Sequence, residues 1–150
     1  MRVVRVISLV ARLALMTTLV LGLLFWLANL LRLGWLLAAL ASISIVNVHI
    51  VLGSTGSLFF LVLGVIALLT PGVRLMGIVG ITYALVVPVL GVTQMRILPG
   101  DLHWLIQIVH LLIGIGAMYL ILSIEKRYRH LKQSASGDAE RGSITIQTVN

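Results

Sequence analysis

The 150-residue sequence contains no cysteine. That absence removes disulfides, thiolate-held zinc, iron–sulfur clusters and the covalent c-type haem attachment. Acidic residues are almost as scarce: Asp101, Glu125, Asp138 and Glu140 are the full set, and none lies in the middle of an apolar run. Paired-carboxylate catalysis is therefore not expected. No Gly-rich phosphate loop, no Ser/His/Asp set and no HExxH signature is present. A metal or haem would have to be held by His, Met, Tyr or a rare carboxylate. For zinc or copper, a third ligand beyond two histidines is hard to find.

What the chain has in abundance is apolar residues. Sixty per cent of it is hydrophobic and only 10% is charged, whereas a soluble domain of this size needs far more polar surface. The composition predicts an all-α, integral membrane protein. Net charge is +7, but the basic residues flank apolar segments, so they read as topology signals rather than as a nucleic-acid surface. Four segments are long enough to span a bilayer, at about 13–31, 44–69, 75–95 and 102–124. Thr70-Pro71-Gly72 and Pro99-Gly100-Asp101 mark turns between them, and Pro88 falls inside the third. The stretch 33–43 fits either an outer loop with Trp35 at headgroup level or an early start to the second helix; a partly interfacial segment is favoured.

Four spans place Arg2, Arg5, Arg12, Arg74, Lys126, Arg127, Arg129, Lys132 and Arg141 on one side, against Arg32 and Arg96 on the other. The positive-inside rule then predicts a four-helix transmembrane bundle of the plasma membrane with both termini cytoplasmic. A cleaved leader is not expected, because the first apolar run is too long and Ala39-Leu40-Ala41 lies too far along. The polar tail, 133–150, reads as disordered.

One short phrase occurs twice. "HIVLGSTG" gives His49, Gly53 and Gly56; "HLLIGIGA" gives His110, Gly114 and Ala117. A residue at i+4 shares a helical face with residue i, so each histidine stands beside a shallow groove of small residues. Both histidines fall in the outer halves of the second and fourth spans, which run in the same direction. An imidazole in hydrocarbon needs a partner. The bland reading is close helix packing through small residues, with each histidine bonded to a carbonyl or to a hydroxyl such as Thr82. The sharper reading is b-type haem, with His49 and His110 as axial ligands from facing helices.

His103 lies two turns before His110 and is either an interfacial histidine, an alternative ligand to pair with His49, or a propionate partner; by depth alone it matches His49 better than His110 does. Arg32 and Arg96 are candidate propionate partners or ordinary boundary arginines. Gln94 and Gln107 are expected to bond across helices or to meet a quinone carbonyl. Trp26, Trp35 and Trp104 read as interface anchors, and His130, in "EKRYRHLK", as part of a basic face near anionic lipids with no ligand role.

Residues 44–124, with these two histidine phrases and the tract "LGVTQMRILPGDLHW", resemble half of haem A synthase, and more generally the four-helix membrane b-type cytochromes. The resemblance implies a haem held by histidines of the second and fourth helices. The synthase family also places an acidic residue shortly before the second-helix histidine, where this chain has Ile45, Val46 and Asn47. That departure leaves haem binding, for electron transfer or haem handling, as the expectation, with a quinone or a respiratory complex as partner, rather than oxidative haem modification. The competing expectation is a small non-enzymatic or transporter-like membrane module whose histidines are structural or proton-responsive.

Overall fold

The computed structural model describes the backbone of residues 2–100 and 102–149, with side chains up to residue 134. Asp101 lies outside the described residues, as do the side chains of Asp138, Glu140 and Arg141. Five α-helices are present and no strand among the described residues: α1 (Arg2–Leu30), α2 (Gly34–Ser42), α3 (Ile45–Leu69), α4 (Arg74–Thr93) and α5 (His103–Val149), with a 3₁₀ turn at Gln94–Arg96 after α4. Four stretches are long and apolar enough to cross a membrane: Arg2–Leu30, Ile45–Leu69, Arg74–Arg96 and His103–Ser134. The all-α, four-helix expectation is met.

Element boundaries differ from the sequence pattern in three places. α1 begins at Arg2 rather than near 13, so Arg2, Arg5 and Arg12 are helical. Its buried residues Val4, Ser8, Ala11, Leu15 and Thr18 are spaced four, three, four and three apart, the seam of a close-packed bundle. The stretch 33–43 is neither a loop nor an extension of the next span but the separate helix α2. It is set off by Arg32 and Ser44, both at φ 52°, a left-handed conformation uncommon for residues with a Cβ. Leu40 of α2 packs with Ala28 and Ile45, closing one end of the bundle. The last helix is continuous to Val149, across the 132/133 boundary where the composition changes.

The turns fall where proline and glycine announce them. Gly72 and Gly100 sit at φ +87° and +89°, a region that L side chains rarely adopt. The spanning helices form a ring in the order α1, α3, α4, α5, each touching the next, and α5 returns to α1. α3 and α5 face each other across one diagonal, and α1 and α4 hold the other two corners. The core is filled by Leu15, Phe60, Leu63, Ala84, Ala117, Ile121 and Ile124, among others. α3 and α4 approach most closely: a Cβ on Gly77 would overlap the backbone nitrogen of Leu68, and one on Gly64 would stand 3.0 Å from that of Ile81.

At the end where α1 begins, the carboxylate of Glu125 is buried at 4% exposure. Ser8 donates to its Oε2 at 2.5 Å. Arg12 pairs with the same oxygen at 3.3 Å, and Arg129 reaches Oε1 at 3.6 Å. The bonds from Ser8 and Arg12 fasten α1 to α5 through a residue that the sequence offers only as a boundary acid. Glu125→Gln keeps an acceptor for Ser8 but removes the charge both arginines use. The expected loss is about 2 kcal/mol, the scale of a hydrogen bond to a charged group. Thermal unfolding in detergent measures it; an unchanged midpoint would show that the network contributes nothing.

Candidate functional site

The rings of His49 on α3 and His110 on α5 meet across the diagonal of the bundle, with centroids 6.4 Å apart and planes tilted by 48°. Each ring leans its Cε1 edge on a glycine of a different helix. A Cβ on Gly22 of α1 would lie 2.9 Å from Cε1 of His49, and one on Gly91 of α4 would lie 3.3 Å from Cε1 of His110. Two histidines on one diagonal and two glycines on the other thus form a single layer. All four spanning helices contribute to it, and the glycines of α1 and α4 leave the space that the rings occupy.

The layer is polar chemistry in an apolar setting. The Nδ1 atoms of both His49 and His110 are buried and have no hydrogen-bond partner. Buried polar atoms are nearly always paired, and each unpaired one costs about 1–3 kcal/mol. Two such atoms in one layer ask for a ligand. Thr82, a possible hydroxyl partner by sequence, instead donates to the carbonyl of Ile78 on its own helix.

The other residues singled out by sequence are placed differently. A Cβ on Gly53 would meet Cγ2 of Thr18 at 3.3 Å, and one on Gly114 would meet Leu19 at 3.9 Å. Those two glycines therefore admit side chains of α1 rather than the imidazoles. His103 has no ring contact with His49, and its Nε2 is buried without a partner. One turn along α5 from His103, Gln107 accepts a 2.9 Å hydrogen bond from the indole of Trp26, so this tryptophan bridges α1 to α5. Arg32 and Arg96 are exposed, at the turn before α2 and the end of the 3₁₀ turn. No group of three or more His, Asp or Glu able to hold a metal occurs among the described residues, so a multi-ligand zinc-type centre has no donor set there.

Gly22 and Gly91 are not evident as site residues from the sequence. A same-helix pattern finds Gly53 and Gly114, but partners on other helices depend on which helices touch. Their local tripeptide, Val-Leu-Gly at 20–22 and 89–91, gives no signal either, since it recurs at 51–53 and 62–64.

Together these features define a class: a helical bundle with four apolar helices compatible with an integral membrane protein, and one layer holding two half-buried imidazoles. The chain matches no protein-family model, no curated protein and no solved structure.

Proposed function

We propose that this chain is an integral membrane b-type haem protein of electron transfer, with His49 and His110 as the axial ligands. The observation that carries the reading is the His49–His110 pair, 6.4 Å apart across the bundle. Metal–imidazole bonds of about 2 Å, plus half a ring on each side, set two axial imidazoles roughly 6 Å apart between centroids. Two further features fit the group: one unpartnered buried nitrogen on each ring and a donor set of two imidazoles.

A bound haem would be held by His49 and His110 and would supply one-electron chemistry. The chain's own residues do the rest. His49 and His110 hold their positions because Gly22 and Gly91 leave them space. The hydrocarbon of a surrounding bilayer would keep water from the layer. His103, at the Trp26–Gln107 end, and the exposed Arg32 and Arg96 are the propionate partners this reading assigns. A lipid-soluble quinone or a respiratory complex is the redox partner that electron transfer in a membrane implies. By the positive-inside rule, the end bearing Glu125 and both termini face the cytoplasm of a plasma-membrane protein.

The competing reading, a non-enzymatic membrane module, draws on the same layer: the rings already pack against Gly22 and Gly91, and glycines bring α3 and α4 together. Haem content separates the two. The full chain, expressed with ample haem and purified in mild detergent, should carry one non-covalent haem per chain by pyridine haemochrome assay. Well-folded protein without haem would sink the proposal and leave the packing module.

The glycines give a graded test. Gly22→Ala should displace the His49 ring, whereas Gly91→Ala meets His110 at a distance that a few tenths of an ångström relieves. Haem retention during detergent dialysis should therefore fall more for Gly22→Ala than for Gly91→Ala. Equal retention in both variants and wild type would show that these glycines do not set the site.

A further inference from the structure

Two sets of basic residues stand near Glu125. Arg12 and Arg129 are committed to Glu125. Lys126, Arg127 and His130 are exposed, and among the described residues none of them has an ion-pair partner. With Ser123 they line a shallow, open surface groove on the outer side of the helix. The four occupy positions i, i+3, i+4 and i+7, so they share a face. Glu125, the one described carboxylate on this stretch, is turned into the bundle and buried.

The same face is apolar one turn earlier. Ile115, Tyr119 and Leu122 are exposed at 49%, 73% and 44%. From Tyr119 to Lys126 the helix rises about 10 Å, so the surface changes from hydrocarbon-compatible to cationic over two turns. A helix that crosses a bilayer there puts the aliphatic part of its face against acyl chains and the groove at the level of headgroup phosphates.

The geometry points to a binding site for an anionic phospholipid headgroup, formed by Ser123, Lys126, Arg127 and His130. The phosphate is held by Lys126 and Arg127 with the His130 ring alongside, and the acyl chains run along Tyr119 and Leu122. Ser123 already donates to the carbonyl of Tyr119, so its oxygen lines the groove and its proton is not offered to the ligand. The site stands apart from the His49–His110 layer and does not depend on haem.

Native mass spectrometry of the full chain released from detergent, titrated with phosphatidylglycerol or phosphatidylcholine, tests it. Phosphatidylglycerol should bind at least about tenfold more tightly, since each basic residue near an anionic surface contributes about 1 kcal/mol, or roughly fivefold. K126S/R127S should abolish the preference. R2S/R5S removes two exposed charges from α1 at the same end and should keep it. R127Q alone should lose about fivefold, and serves if the double variant does not fold. Equal losses in K126S/R127S and R2S/R5S would show a diffuse field and overturn the site. Displacement of the lipid by millimolar inorganic phosphate would overturn the headgroup assignment in favour of a free anion.

Discussion

Alanine at His110 is expected to lower haem content more than tenfold, and alanine at His49 to do the same. Each ring stands on its own helix, and no other histidine of the described chain touches the pair. Loss of one imidazole therefore removes one face of the site with no substitute nearby. His103 has no ring contact with His49, so His103→Ala should leave low-spin haem in place and at most shift its potential. Free imidazole adds a readout that a purely structural role would not move. The volume vacated by His110→Ala can admit it, and added imidazole should restore a low-spin spectrum to that variant. If the pigment survives in both alanine variants but vanishes with His103→Ala, the ligand assignment is wrong while the cofactor is right.

The second large effect is on folding. Gly77→Ala places a methyl group in overlap with the backbone nitrogen of Leu68, 2.6 Å from its Cα and 2.8 Å from the carbonyl oxygen of Gly64. All three are backbone atoms, so no rotamer change can relieve the contact. α3 and α4 must separate, and with them the packing of Phe60, Leu63 and Ala84. The expected cost is about 3 kcal/mol or more, at the upper end for overpacking a tight interface. Gly34 provides the control: a Cβ there meets nothing within 4 Å, so Gly34→Ala should be neutral or slightly stabilising. Unfolding midpoints in one detergent compare the two. Equal midpoints would mean that the α3–α4 approach is looser than the structure describes.

The parts of this molecule that are legible in the sequence are those written locally. Four apolar runs, the proline–glycine turns at 70–72 and 99–101, and the twice-written histidine phrase need only neighbouring residues to be read. What is not legible depends on pairing. Ser8 and Glu125 are 117 residues apart, so nothing in either neighbourhood announces their bond. Gly22 and Gly91 matter because α1 and α4 flank the diagonal that joins α3 to α5, a fact of bundle order rather than of any one helix. Gly53 and Gly114 enter by the same-face rule, yet the structure gives their space to Thr18 and Leu19 of α1. α2 escapes notice for a different reason. It ends at Ser42, and the break before α3 is made by Ser44 in a left-handed conformation without the glycine that usually marks one.

The central claim is that His49 and His110 bind one haem between them. Visible spectra of the purified chain, oxidised and then reduced, test it most directly. The account predicts sharp low-spin bands in both states, one haem per chain, and no change on adding carbon monoxide to the reduced protein, because both axial positions are filled. A folded, colourless protein, or a high-spin pigment that binds carbon monoxide, would contradict it.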